Sequence, residues 1–460
     1  MTGLGSYGAL GSSLGRAHVA AMCALTLLYA AIVAWLVQLP YDIAGGVLVA
    51  HLLALVTVPM LLWLERDGHR ALRRLVVVGL GAKLVGTLAR YAVLLSVYGE
   101  GDALEYDRIG TQLAGSFAKG DFSVDLGQRV IGTGFIEILT GLVYTVTGPT
   151  RLGGFLVYSW FGFWGLYLFF RAFRLACPDG LHRRYGLLLF FLPSMLFWPS
   201  SIGKDAWMTL MLGTFAYGAA ALLTRRPSGV LWVVVGTAGS AMVRPHVTVI
   251  AVAALMLAYL LVGSGRPSYA RPLSKVAGLA VLAVVFFLAF GAVENYLRLD
   301  EQTSVDDVFD RTTERTSKGG SEFEAPGARS PAELPVAIFS VLFRPLPFEA
   351  ANPLALFASL EGTFLLLLFI RHWRYLRNLV PRRRLPYLTF VSSYSLMFAV
   401  AFSNVANFGI LARQRTQLFP FVLVLLAVPL RRRENAPDHA GTRRTDQRRN
   451  EIDLSAPVPY

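Results

Sequence analysis

Uninterrupted apolar blocks of about 17–24 residues recur along most of the chain, separated by short polar or charged joints. A helix rises about 1.5 Å per residue, so about 20 apolar residues cross the ~30 Å hydrocarbon core of a bilayer. The pattern predicts an all-α, polytopic membrane protein with about twelve transmembrane helices. The expected spans are roughly 19–38, 46–64, 75–98, 152–170, 185–201, 206–223, 229–243, 247–263, 275–292, 353–370, 385–404 and 414–430. A further apolar block, 131–147, carries three glycines and Glu137 and reads as an interfacial or re-entrant helix.

Loop charge sets the expected orientation. Arg66/Arg70/Arg73/Arg74, Arg171/Arg174/Arg183/Arg184, Arg225/Arg226, Arg266/Arg271/Lys275 and the arginines from Arg371 to Arg384 fall in alternate joints. All five groups are cytoplasmic only if both termini are cytoplasmic, which predicts a multi-pass plasma-membrane protein, N-in and C-in. Counting 131–147 as a span would put four of these arginines outside. The same order leaves outer loops at 99–151 and 293–352, a turn at Ser200–Asp205, and a second outer interfacial helix near 334–343. The polar middle of the second loop, 300–330, reads as mobile. Residues 1–430 form one transmembrane domain, and 431–460 read as a disordered basic cytoplasmic tail.

Composition agrees with the pattern. Of 460 residues, 55% are hydrophobic and 16% charged, against about 25% charged in soluble domains. The net charge of +14 lies in alternate loops and the tail, which argues against a nucleic-acid partner. The two cysteines, Cys23 and Cys177, imply neither a disulfide framework nor a thiolate metal site.

The spans read as nearly free of charge, and the remaining polar residues gather at outer helix ends. Asp102, Glu105 and Asp107 open the first outer loop and could serve as general base or cation ligands, or as an acidic first helical turn. Lys204 and Asp205 stand in the Ser200–Asp205 turn, as an interfacial pair or as phosphate and metal contacts. Arg244, His246, Arg344, Arg413 and Arg415 lie on the expected outer face against the charge bias, and guanidinium groups suit phosphate oxygens. Glu361, two turns into its span, faces a cavity or pairs with an arginine.

From Asp102 to about Arg226 the chain resembles the GT-C superfamily of membrane glycosyltransferases, in particular the polyprenyl-phosphate-sugar-dependent, protein-mannosyltransferase-like type. Asp102 with Tyr106 four residues on, Gly148-Pro149-Thr150-Arg151, Pro193-Ser194, Asp205 and Arg244-Pro245 carry the likeness in order and sidedness. Ala103 stands where the family often has a second acidic residue, which Glu105 or Asp107 would have to replace. The resemblance implies sugar transfer from a polyprenyl-phosphate donor to a glycan, lipid or protein acceptor outside the membrane. It makes Asp102 the base and Lys204 and Arg244 phosphate contacts, beside the outer cationic group that also holds His246, Arg413 and Arg415. A divalent cation, Mg or Mn, would sit at Asp102 and Asp205. The loop around 300–330 would close over the acceptor.

Two alternatives stay open. Asn407-Phe408-Gly409-Ile410-Leu411-Ala412-Arg413-Gln414-Arg415 looks like outer-loop arginine motifs of O-antigen polymerases and ligases, where arginines rather than an aspartate are essential. A lipid-linked-glycan transporter without chemistry is the other.

Overall fold

The computed structural model describes residues 7–36, 38–66, 70–123, 129–260, 270–297, 305–317, 322–328, 330–373, 376 and 386–428. The basic tail at 431–460 lies outside the described residues. Among the described residues every regular element is a helix, and the β-pairing is one isolated bridge, Glu322 to Asn407.

The helices are α1 (Tyr7–Leu36), α2 (Tyr41–Leu64), α3 (Arg70–Val93, prolonged by a π turn, Leu94–Tyr98), α4 (Asp102–Phe117) and α5 (Phe135–Thr147). Then come α6 (Arg151–Ala176), α7 (His182–Phe191), α8 (Pro193–Phe197), α9 (Lys204–Leu223), α10 (Gly229–Ala241) and α11 (Pro245–Leu260). The last set is α12 (Ala270–Leu297), α13 (Val305–Thr316), α14 (Leu334–Phe343), α15 (Pro353–Arg371), α16 (Pro386–Ala401), α17 (Phe408–Gln414) and α18 (Phe419–Ala427).

Six stretches are long and apolar enough to cross a membrane: Tyr41–Leu64, Arg70–Val97, Val130–Thr147, Arg151–Ala176, Lys204–Leu223 and Pro353–Arg371. The pair α17–α18, bent by 61°, makes a seventh if taken as one span. Five of these six are expected spans, and the sixth, Val130–Thr147, is the block expected to lie at the interface; the expected twelve are not reached on this measure, in part because several blocks are broken or short. The block 185–201 is broken at Pro193 and Pro199 into α7, α8 and a 3-10 turn, and α10, α11 and α16 are apolar helices of 13, 16 and 16 residues.

α6 and α9 form the centre of the bundle. They run parallel, and glycines set their approach: a Cβ on Gly165 would stand 2.2 Å from the Thr209 carbonyl oxygen. Phe155, Phe163, Phe169, Phe170, Phe173 and Phe190 fill the surrounding core. α2 also runs parallel to α6, tied at both ends. Asp42 accepts from Leu152 N at one end, and at the other the buried Glu65 binds Arg174 at 2.5 Å and Tyr167 at 2.8 Å. By contrast α2, α3 and α15 expose long apolar faces, as lipid-facing helices do.

α5 lies along one end of this bundle rather than through it. Near its start Thr133 receives Lys204 Nζ at 2.9 Å, and near its end Tyr144 donates to Asp107, the partner of Arg151. Its contacts to α6 fall at Gly154 and Tyr158, within two turns of the Arg151 end. The backbone also breaks at Ile131 and Gly132, which leaves 13 helical residues, or about 20 Å. α4 packs antiparallel on α5, with Gly110 against Thr140 and Gly141 against Leu113.

The expected helix at 334–343 is α14. The polar loop expected to be mobile holds α13 and an extended strap, 322–328, both tied to the bundle. Thr313 donates to the Asn404 carbonyl, Thr316 accepts from Ala406 N, and Phe323 N donates to the Ala406 carbonyl. The Phe323 ring stacks on Phe408 at 4.0 Å, with the Arg344 guanidinium over both. Arg344 in turn binds Glu349, and that pairing holds the Glu349 carboxyl below its usual range against the opposing effect of burial.

Candidate active site

Two glycines prepare the acidic positions. Gly101 (φ +134°) and Gly203 (φ +153°) hold backbone conformations that a side chain disfavours, and each immediately precedes a helix. Asp102 is thereby the first residue of α4, and Asp205 the second of α9. Both carboxylates sit at helix N-termini, where aligned peptide dipoles favour negative charge. Neither helix has a side-chain cap at its preceding glycine, so first-turn N–H groups face the same region.

The arginines meet there. Asp205 is buried and is gripped from two sides, by Arg244 Nη2 at 2.9 Å and by Arg413 Nε. Arg413 also reaches Asp102, its Nη1 lying 3.3 Å from the carboxylate. One guanidinium therefore bridges residues 102 and 205. Asp102 is 61% exposed by side chain and Asp205 6%, so the first carboxylate is available to a ligand and the second serves to anchor arginines. Arg244 is itself buried, and its Nη1 has no hydrogen-bond partner among the described residues.

A cleft of about 320 Å³ opens beside this cluster, lined by Asp102, Arg413, Glu100, Arg90, Trp198 and Asn407. Arg90 lies over the Trp198 ring at 5.0 Å. Asn407 caps α17 through Gly409 N and Ile410 N, and so fixes the helix that carries Arg413. Below the cleft Tyr106 is buried, and burial together with the Asp102 charge pushes its hydroxyl above the usual tyrosine range.

Other expected residues go elsewhere. Glu105 turns to solvent and pairs with Arg108 at 2.6 Å, which lowers its carboxyl from the ordinary value. Asp107 points away from the cleft and is saturated by Arg151 at 2.8 Å and Tyr144 at 2.5 Å. Neither replaces the acidic residue missing at Ala103. Arg415 is buried and donates to the Leu342 carbonyl at 3.1 Å, so it does not act beside Arg413. His246 packs against Phe402, near enough to Arg244 and Lys204 to feel both charges. Glu361 accepts from Ser194 N at 2.6 Å, beside an apolar hollow of about 440 Å³ between α7 and α15.

The donor set does not fit a divalent cation. No group of three metal-ligating side chains occurs among the described residues, and the two expected ligands, Asp102 and Asp205, both spend oxygen atoms on Arg413. Lys204 and Arg244 add further positive charge around Asp205. Three cations against two carboxylates leave a site that suits an anion.

Sequence reasoning missed Arg90 and Lys83. Arg90 and Lys83 were legible as basic residues inside an apolar span, a position that by itself marks a cavity wall or a backbone partner. Comparison of the chain with protein-family models, with curated proteins and with solved structures gives no match.

Proposed function

We propose that the protein is an integral-membrane glycosyltransferase that moves a sugar from a polyprenyl-phosphate donor to an acceptor on the extracytoplasmic face. The observation that supports this most is the bridging of Asp102 and Asp205 by Arg413 at the mouth of a cleft, with Lys204 and Arg244 behind it. The reading includes a chain that crosses the membrane about twelve times with both termini inside, short helices included, and α4 and α5 lying at the outer interface.

In this reading the donor phosphate lies against Lys204, Arg244 and Arg413, facing the uncapped N-termini of α4 and α9. Its oxygens compete with carboxylates for the Arg413 guanidinium and draw it from Asp102. The freed carboxylate takes the proton of the acceptor hydroxyl as that oxygen bonds to the anomeric carbon. The bond from the anomeric carbon to the phosphate oxygen breaks, and polyprenyl phosphate departs with its new charge held by the three cations. Direct displacement inverts the anomeric configuration. The prenyl tail stays in the lipid phase, which is why the cleft must open at a membrane surface.

A second reading, an O-antigen-polymerase- or ligase-like enzyme, draws on the central place of Arg413, which contacts both carboxylates. The two readings separate on membranes with matched expression, by following sugar release from radiolabelled polyprenyl-phosphate sugars. The transferase reading expects Asp102→Asn to lose about 10²–10⁴-fold in turnover, as loss of a general base does. Full activity of Asp102→Asn with an inactive Arg413→Ala would favour the polymerase reading.

A further inference from the structure

Two ionisable side chains deep in the spans, Lys83 and Glu361, take no part in the cleft. Both end on the same short element, α8, from opposite sides. The chain reaches α8 through Leu192, whose extended backbone (φ −63°, ψ 127°) stops α7. Ser194 N–H thereby loses the carbonyl it would meet in a continuous helix, and it donates instead to Glu361 Oε2 at 2.6 Å.

The other end is broken by Pro199, which has no N–H. In a continuous helix residue 199 would donate to the carbonyl of Met195, four residues earlier. Lys83 Nζ fills that gap, donating to the Met195 carbonyl at 2.8 Å. The next carbonyl, Leu196, accepts from Ser200 Oγ at 2.5 Å. Behind it Thr87 donates to Ser159 at 2.6 Å, and Ser159 to Ser200 at 3.4 Å. Gly162 lets this corner close up, since a Cβ there would stand 2.5 Å from the Pro199 carbonyl oxygen and 3.4 Å from Lys83 Nζ.

A carboxyl at the N–H end and an amino group at the C=O end match the polarity of the helix they cap. Hydrocarbon offers no replacement for either bond, so each group answers a need created by the break. Just beyond the break comes the turn that carries Lys204 and Asp205.

We infer that Lys83 and Glu361 pin α8 at its two ends, and that Lys83 is a positioning residue which sets the Trp198–Asp205 turn against Arg244 and Arg413. The consequence for turnover rests on the transferase reading above; the consequence for the turn does not.

The test uses the full chain in lipid nanodiscs and amide hydrogen exchange over residues 198–206. The variants are Lys83→Met, Pro199→Ala and the two together. Lys83→Met removes the donor, and Pro199→Ala supplies an N–H that can take its place. Lys83→Met is expected to speed exchange in the turn about tenfold, the loss of one buried hydrogen bond, with the rest of α6 and α9 unchanged. The double variant should return to within about twofold of wild type. Should Lys83→Met not fold alone, recovery of folded protein in the Pro199→Ala background is the same test. Unchanged exchange in Lys83→Met, a uniform rise across the bundle, or no rescue by Pro199→Ala overturns the inference. Sugar transfer, measured in parallel, should fall in kcat/KM with a rise in the donor KM, because the turn carries Lys204, and should recover in the double variant. A wild type without transfer would remove the transferase reading and leave the exchange result to stand by itself.

Discussion

Asp205→Asn tests whether the cluster at the cleft is an electrostatic unit. The side chain is 6% exposed and holds Arg244, itself 7% exposed by side chain, at 2.9 Å. Asparagine keeps the shape and removes the charge, which leaves the Arg244 guanidinium buried without its counter-ion. Breaking a buried pair from one side costs about 3–5 kcal/mol. With an unfolding entropy of about 2 cal/mol/K per residue, a chain of this size loses ~1 °C of melting temperature per kcal/mol. The expected drop is therefore ~3–5 °C, read by a dye-free thermal scan in detergent at a fixed heating rate. Arg413 is the more exposed partner and can fall back on Asp102, so it contributes less to this loss. Asp205→Asn/Arg244→Met should recover part of the stability, because no buried charge is then left uncompensated. A melting temperature within ~1 °C of wild type for Asp205→Asn, or strictly additive losses in the double variant, would refute the argument.

Five further variants test other contacts of the fold and the cleft. Tyr144→Phe removes one hydrogen bond to the buried Asp107 carboxylate and should lower stability by about 1–3 kcal/mol, measured by thermal scan, without changing donor affinity. Arg415→Ala should destabilise the fold, since its guanidinium ties the 3-10 turn between α17 and α18 to the Leu342 carbonyl, while Arg413→Ala should lose donor binding with little loss of melting temperature. Lys204→Ala should weaken binding of a polyprenyl phosphate about tenfold or more by titration in nanodiscs, with a smaller effect at high salt in the wild type than for an exposed lysine. Phe323→Ala should release the strap, seen as faster amide exchange at 322–328, because its ring stacks on Phe408 with Arg344 against both.

Much of the helical order was legible, because long apolar blocks satisfy their backbone groups internally as helices. Asp102, Asp205, Arg244 and Arg413 were legible as outer polar residues from separate elements, and the fold brings these four to one place. What sequence did not carry was side-chain direction. Arg413 and Arg415 are two residues apart, about 200° around a helix, so one faces the cleft and the other the core. Asp102 and Asp107 differ by about 500° around α4, which leaves them about 140° apart and sends Asp107 to Arg151. Lys83 was hidden for a different reason. Its partner is a backbone carbonyl 112 residues on, created by a proline whose effect is visible only once α3 and α8 are packed together. Glu361 likewise binds a backbone N–H, with Arg415 near enough to feel its charge.

The central claim is that the Asp102 carboxylate performs the transfer while the surrounding cations hold the phosphate. The direct measurement is turnover of wild type and Asp102→Asn in nanodiscs on a panel of polyprenyl-phosphate sugars, with donor binding titrated in the same preparations. The account predicts sugar transfer with inverted anomeric configuration by wild type, and for Asp102→Asn a loss of about 10²-fold or more with donor affinity retained. Transfer by Asp102→Asn at the wild-type rate, or a product of retained configuration, would contradict it.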